Sequence, residues 1–138
     1  MTKVPNTTIR PSATILVLEN DPIALRSTAG ILRRDGYDVY EAETPAEARI
    51  IVDGLRKPIA LLICDLDLNG IYGRDAANAL QALRPEMQVL FMSGGDSAQF
   101  RRELERTEWH YLKKPFDSTR LLELVALKLK GWQSAANH

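Results

Sequence analysis

The sequence predicts an α/β fold in which a parallel five-stranded sheet is covered by helices on both faces. Short apolar runs alternate along the chain with longer segments whose apolar residues recur at helical spacing. The runs are continuously apolar, which is typical of strands buried on both faces of a parallel sheet. We expect a flexible arm at residues 1–13, a single domain at residues 14–130 and a C-terminal tail at residues 131–138.

The first strand and helix are predicted from an apolar run at residues 14–18 and from the signals that follow it. Asp21 and Pro22 mark a helix start, because an N-cap carboxylate precedes proline at the first helical position. Gly36 marks the end of this helix. Its expected buried face comprises Leu25, Ala29 and Leu32.

A second strand is predicted at residues 37–40, and a third at the apolar run that ends in Asp65. Between them, Thr44 and Glu47 have the spacing of a capping box and begin a second helix. A third helix follows the glycine-bearing loop at residues 69–73. The expected buried faces comprise Ala48, Ile51 and Leu55 in the second helix and Ala76, Leu80 and Leu83 in the third.

The last two strands are predicted at residues 89–92 and 109–112. The helix between them, at residues 96–106, contains few large apolar residues and should be weakly packed. Asp117 can cap a final helix. The expected buried face of that helix comprises Leu122, Val125 and Leu129.

Polar side chains follow four of the five predicted strands at their carboxyl ends. In the strand order 2-1-3-4-5, strands 1 and 3 lie side by side at the point where ligands bind in open α/β sheets. A carboxylate nucleophile, oxygen ligands for Mg2+, a hydroxyl donor and a cation are the groups that phosphoryl transfer requires. The residues that would meet there are Glu19, Asn20, Asp21, Asp65, Ser93 and Lys114.

Several of these residues also have a purely structural explanation. Asp21 is better explained as the helix cap than as a metal ligand. Asp67 would point away from Asp65 if the third strand continued, and Lys113 is expected to face solvent. Ser93 precedes two glycines and would suit an ordinary loop. The joint placement of polar groups at four strand ends nevertheless favours a functional site.

The composition limits the class of function. Lysine plus arginine and aspartate plus glutamate each number 18, so the formal net charge is zero. This balance argues against a general nucleic-acid-binding or membrane-surface role. Cys64 is the single cysteine, which excludes an internal disulfide and favours a reducing cytoplasm. The chain shows neither a signal-peptide core nor an apolar run long enough for a transmembrane helix, and we expect a soluble cytoplasmic protein.

Nearly the whole chain resembles the receiver domain of bacterial response regulators, the CheY-like domain of two-component signalling. The segments that match, in the family's order, are residues 15–22, 61–66, 89–94 and 111–116. The resemblance implies a flavodoxin-like fold of five βα units with Asp65 as the phosphoacceptor. The phosphoryl group would come from a phosphohistidine on a histidine kinase or a histidine phosphotransfer protein in a phosphorelay.

The resemblance also implies a Mg2+ site. Its ligands would be Glu19, Asn20, Asp65 and the backbone carbonyl of Asp67. Asn20 occupies a position that is usually aspartate in the family, so one formal charge is lost. At about 4 Å and an effective dielectric constant of about 20, that charge would contribute on the order of a few kcal/mol before desolvation. We therefore expect weakened Mg2+ binding and slower phosphorylation.

The resemblance also assigns roles in the phosphorylation-dependent switch to three residues. Ser93 corresponds to the switch hydroxyl, Tyr111 to the switch aromatic and Lys114 to the lysine that pairs with the phosphoryl group. The Lys114–Pro115 bond is expected to be cis. A downstream protein would dock on the face from the fourth helix to the fifth strand, and a homodimer is compatible with the same resemblance.

The sequence departs from the family's usual pattern at three further positions. Glu19 is one methylene longer than the usual aspartate, and Asn69 and Tyr72 replace the usual proline and aspartate of the loop after Asp65.

The chain ends after the fifth helix, so we expect a receiver without a DNA-binding output, either stand-alone or part of a hybrid kinase. It would not be a conventional enzyme, although it would catalyse its own phosphotransfer and slow dephosphorylation.

Two other functions compete with a phosphoaccepting receiver. One is a degenerate receiver that binds a partner without phosphorylation, suggested by Asn20. The other is a phosphohydrolase of the haloacid dehalogenase type, because Asp65 and Asp67 after an apolar strand resemble that family's first motif. The late acidic pair of that family is absent after Lys114, which makes it the weakest of the three.

Overall fold

The main sheet has five parallel strands. The computed structural model describes residues 13–94 and 111–136, without the side chains of residues 131–136. The strands are β1 (Thr14–Leu18), β2 (Asp38–Ala42), β3 (Leu61–Asp65), β6 (Gln88–Ser93) and β7 (Tyr111–Lys113). Their spatial order is β2-β1-β3-β6-β7. When only the strands of this sheet are numbered, this is the predicted order 2-1-3-4-5, which is confirmed.

A separate two-stranded antiparallel hairpin follows β3. It consists of β4 (Asp67–Leu68) and β5 (Ile71–Tyr72), with a turn in which Asn69 and Gly70 both have positive φ. The sequence predicts only a loop here. The loop expectation was wrong because strands of two residues are too short to show an alternating pattern.

Four helices lie within the described residues: α1 (Pro22–Arg34), α2 (Pro45–Gly54), α3 (Gly73–Leu83) and α4 (Ser118–Ala136). Two predicted caps at helix starts are confirmed. Asp21 Oδ1 accepts from the N–H of Ile23 at 3.1 Å, and Thr44 Oγ1 accepts from that of Glu47 at 3.1 Å. The weakly packed helix predicted at residues 96–106 lies outside the described residues.

The last helix is longer than the sequence suggests. Asp117 caps it through a 2.8 Å hydrogen bond from the N–H of Arg120 to Oδ1. The helix then continues to Ala136, past Gly131, where a tail was expected to begin. An isolated glycine inside a helix costs only about 1 kcal/mol, so Gly131 need not end it.

Two apolar layers pack on the two faces of the sheet. In β1, alternate residues face opposite layers: Ile15 and Val17 belong to the layer that contains the buried residues of α1 and α4, whereas Leu16 and Leu18 belong to the layer of α2 and α3. Both central strands, β1 and β3, are buried along their whole length. A parallel sheet covered on both faces accounts for the continuous apolar runs.

Most of the predicted helix faces are buried, with three differences. Leu83, expected in the core, is 44% exposed because α3 ends at that residue. In α2, Val52 is buried while Ile51 only packs against the edge of the core, as does Leu55, which directly follows the helix. In α4, Leu122 likewise only packs against the core. No described helix is long and apolar enough to cross a membrane.

Candidate functional site

The carboxyl ends of β1, β3, β6 and β7 lie together at one edge of the sheet. The register pairs residues near the ends of neighbouring strands: Leu18 with Cys64, Asp65 with Met92, and Ser93 with Lys113. Glu19, which follows β1, and Lys114, which follows β7, therefore emerge beside Asp65. This is the edge at which ligands bind in open parallel sheets.

Asp65 is the last residue of β3, and only 5% of its surface is exposed. Its Oδ1 accepts a hydrogen bond from the N–H of Asp67 at 2.9 Å, and its Oδ2 lies 2.7 Å from Nζ of Lys114. Both carboxylate oxygens are therefore oriented by the protein. A carboxylate so held is pre-positioned as a nucleophile or metal ligand.

Lys114 links Asp65 to a second carboxylate, that of Glu19. Its Nζ lies 2.5 Å from Oε1 of Glu19, which is 2% exposed, and Oε2 of Glu19 accepts from the N–H of Asp21 at 3.2 Å. The Lys114–Pro115 peptide bond is cis. The lysine thus forms one connected ion-pair network with both acidic groups.

The network shifts the proton affinities of its members. Burial lowers the pKa of Lys114, but its hydrogen bonds to Asp65 and Glu19 and the charges of both outweigh burial, so the net pKa is raised. Burial raises the pKa of Glu19 by more than the hydrogen bond from Lys114 lowers it, and the charge of Asp65 raises it further. The lysine is therefore firmly cationic at neutral pH.

The proposed switch residues lie at the ends of the last two strands of the sheet. Ser93 ends β6 and is 3% exposed, while Tyr111 begins β7 and is half-buried beside the α2–α3 layer. Within residues 13–94 and 111–136, neither side chain is hydrogen bonded to Asp65. The main-chain carbonyl of Ser93 accepts from the N–H of Lys114 at 2.8 Å, which couples the two strand ends.

A cleft of about 450 Å3 opens over Asp65. Asp67 belongs to its lining, and the condition under which this residue would point away from the site is not met, because β3 ends at Asp65. Lys113, in contrast, is exposed, as predicted. Among the described residues, the lining consists of Glu19, Asn20, Asp21, Asp65, Asp67, Asn69, Gly94 and Lys114.

A second groove of about 490 Å3 adjoins the cleft on the other side of Lys114. Residues of α1, among them Ser27 and Thr28, form one wall, and Pro115 with Phe116 forms the other. Ile23, at the start of α1, is 75% exposed. The site is thus open to a partner along α1.

The chemistry of the donor set suits Mg2+. Glu19 and Asp65 provide carboxylate oxygens, Asn20 an amide oxygen and Asp67 a backbone carbonyl, all hard ligands of the kind that Mg2+ prefers. No group of three or more acidic, histidine or cysteine side chains within the described residues could hold a metal alone. Neutral oxygens and water would therefore have to complete the shell.

Two glycines lie beside the site, and neither was among the predicted site residues. A Cβ added at Gly73 would lie 1.9 Å from the carbonyl oxygen of Asp65 and 2.8 Å from Cα of Leu66. A Cβ at Gly94 would lie 3.4 Å from the aliphatic stem of Lys114. The Gly94 distance is an ordinary van der Waals contact, whereas Gly73 is required by a close approach of the backbone. That approach depends on tertiary packing, and the sequence signal was limited to a glycine at the end of the loop before α3.

Comparison with known proteins gives one consistent result. A family model described as "Response regulator receiver domain" matches residues 15–126. The chain is 27% identical over 120 residues to the sensor kinase CckA of Brucella abortus, covering 86% of this chain and 13% of that protein. It is 29% identical over 116 residues to the DNA-binding response regulator MtrA of Mycolicibacterium smegmatis, covering 84% and 50%.

Solved structures show the same likeness. A CheY-like receiver domain protein from Methanospirillum hungatei superposes with a TM-score of 0.77 at 26% identity, over 91% of this chain and 99% of that one. The chain spans half or less of the length of CckA and MtrA. The haloacid dehalogenase hypothesis has no support from these matches. With its 2-1-3-4-5 sheet and an aspartate at the end of the central strand, the chain belongs to the response regulator receiver domain family.

Proposed function

We propose that Asp65 accepts a phosphoryl group from a phosphohistidine on a histidine kinase or a histidine phosphotransfer protein. The observation that carries this proposal is the buried Asp65 carboxylate with the Lys114 ammonium 2.7 Å away at the end of the central strand. A carboxylate oxygen attacks phosphorus, the phosphorus–nitrogen bond breaks, and the imidazole leaves with its electron pair. An acyl phosphate on Asp65 results.

The residues around Asp65 have separate roles in this transfer. Lys114 neutralises a phosphoryl oxygen, and the Asp67 N–H keeps the carboxylate in position. Glu19, Asn20, Asp65 and the Asp67 carbonyl hold Mg2+, which supplies the remaining charge neutralisation when bound. The groove along α1 gives the donor histidine a route to Asp65.

Signal output depends on the ends of β6 and β7. The new phosphoryl oxygens accept a hydrogen bond from the Ser93 hydroxyl, and Tyr111 follows because the two strands are paired in register. This movement alters the face formed by Tyr111, Lys113, Phe116 and Arg120, where a groove of about 480 Å3 is already present. A downstream protein binds that face.

The setting is the bacterial cytoplasm, and the reactions are the domain's own phosphotransfer and slow dephosphorylation. Among the relatives, one is a sensor kinase and another is a DNA-binding response regulator. The formation of a homodimer stays a prediction. Asn20 favours one second candidate, a receiver that binds its partner without phosphorylation.

Intact-mass spectrometry after treatment with acetyl phosphate and Mg2+ tests the proposal. We expect the wild-type protein to gain one phosphoryl group and Asp65→Asn, which keeps the shape of the side chain, to gain none. Asp53→Asn removes a remote carboxylate on the surface of α2 and should be labelled like wild type. Absence of labelling in wild type at saturating Mg2+ would leave the phosphorylation-independent receiver as the function.

A further inference from the structure

The loop after β3 brings Asp67 to the rim of the cleft, and the side chain of this residue has no assigned role. Asp67 is exposed, and its N–H is anchored 2.9 Å from Oδ1 of Asp65. Its own Oδ1 accepts only a long contact, 3.5 Å from the N–H of Gly70. Among the described residues its Oδ2 makes no hydrogen bond, so this carboxylate is available to a cation.

The inner part of the cleft carries too little negative charge to attract a divalent cation strongly. Glu19 and Asp65 carry two negative charges, and the Lys114 ammonium between them cancels one. Asn20 at the mouth adds an amide and no charge. A single net negative charge is a weak attraction for Mg2+, which also gives up its hydration water reluctantly.

The other rim carboxylate, Asp21, is already engaged. Its Oδ1 accepts from the N–H of Ile23 and caps α1, the helix that begins at Pro22. The positive N-terminal end of α1 further offsets its charge. Asp67 is therefore the rim carboxylate best placed to act on a cation beside Asp65.

We propose that the side chain of Asp67 supplies the negative charge toward Mg2+ that Asn20 does not provide. This inference rests on the proposed function. Mg2+ usually keeps several water ligands, and no three acidic side chains in the part of the chain that the structure describes could hold a metal directly. Asp67 therefore acts on a water of the hydrated ion, in addition to any ligation by its backbone carbonyl.

A purely structural role for Asp67 can be separated from this electrostatic one. Asparagine at position 67 keeps an oxygen that can accept from the Gly70 N–H and leaves the backbone N–H to Asp65 unchanged. Asp67→Asn thus removes the charge and little else. Asp21→Asn is the matched control, because asparagine caps helices as well as aspartate does.

The test is calorimetric titration of the intact chain with MgCl2 at fixed ionic strength. We expect Asp67→Asn to weaken Mg2+ binding about tenfold and Asp21→Asn by less than about threefold, since charge effects fall with distance and screening. Adding Asn20→Asp to Asp67→Asn should restore affinity to the wild-type level or better. Circular dichroism checks that each variant is folded.

The inference is overturned if Asp67→Asn binds Mg2+ within twofold of wild type, or if Asp21→Asn loses as much affinity as Asp67→Asn. It is also overturned if wild type binds no Mg2+. Acetyl phosphate labelling of the same samples reports on the proposed function separately. Wild type that binds Mg2+ through Asp67 but is never labelled contradicts phosphorylation and leaves the inference standing.

Discussion

The ammonium of Lys114 lies 2.7 Å from Oδ2 of Asp65, although the two residues are 49 positions apart in the chain. The contact exists because β3 and β7 flank β6 in the sheet and end at the same level. The sheet topology places the two residues side by side. Because they are adjacent, they can form the ion-pair network at the site. Most of the testable behaviour of this domain depends on that network.

Lys114→Met should lower the free energy of unfolding at pH 7 by about 1–3 kcal/mol, because two buried carboxylates lose their shared cation. The lower part of the range is realistic, since the lysine side chain is 27% exposed. Urea unfolding measures the change. Lys113→Met, on the exposed neighbouring residue, is the control and should alter stability by less than about 0.5 kcal/mol. Equal losses in the two variants would contradict this account.

The Lys114 interaction should disappear at alkaline pH. Its pKa is raised above the ordinary value of 10.5, so the folded state holds the proton more tightly than the unfolded state. The stabilisation is therefore complete below pH 10.5 and is lost as pH rises through the raised pKa. We expect the stability difference between wild type and Lys114→Met to be constant from pH 8 to about pH 10 and to shrink above it. A difference that grows with pH in this range would have the wrong sign.

The sequence was sufficient for the topology and for the residues around Asp65. Apolar runs that stop at polar residues locate the strand ends, and the alternation of strands and helices fixes which ends meet. Glu19, Asp65 and Lys114 could be grouped for this reason before any distance was known. Their ion-pair geometry could not, because it depends on side-chain conformation in the folded domain.

Features that depend on contacts between distant segments were harder to predict. Gly73 looked like an ordinary loop glycine, yet its lack of a side chain lets α3 begin against the backbone of Asp65. The direction in which Asp67 faces depends on where β3 ends. A run of apolar and acidic residues does not define the last residue of a strand. Local sequence patterns report periodicity, whereas both features arise from packing between elements.

Gly73→Ala should destabilise the domain by about 1–3 kcal/mol, because its Cβ would overlap the carbonyl oxygen of Asp65 and the backbone would have to move. Acetyl phosphate labelling of Asp65 should slow as well, since the phosphoacceptor strand is displaced. Gly54→Ala is the control: no atom lies within 4 Å of its added Cβ, and removing a helical glycine should be neutral or stabilising by up to about 1 kcal/mol. Equal stability of the two alanine variants would show that the close approach of α3 to Asp65 is unimportant.

Cys64, the residue before the phosphoacceptor, should be inert in the folded protein. It is fully buried in β3, and burial together with the charges of Asp65 and Glu19 raises the pKa of its thiol. A thiol that is both inaccessible and protonated reacts only when the central strand opens, so reaction with a disulfide reagent should follow global unfolding. We expect negligible modification of native protein, complete modification in urea, and faster modification of Lys114→Met in proportion to its lost stability. Rapid reaction of native wild type would contradict the burial of β3 at the centre of the sheet.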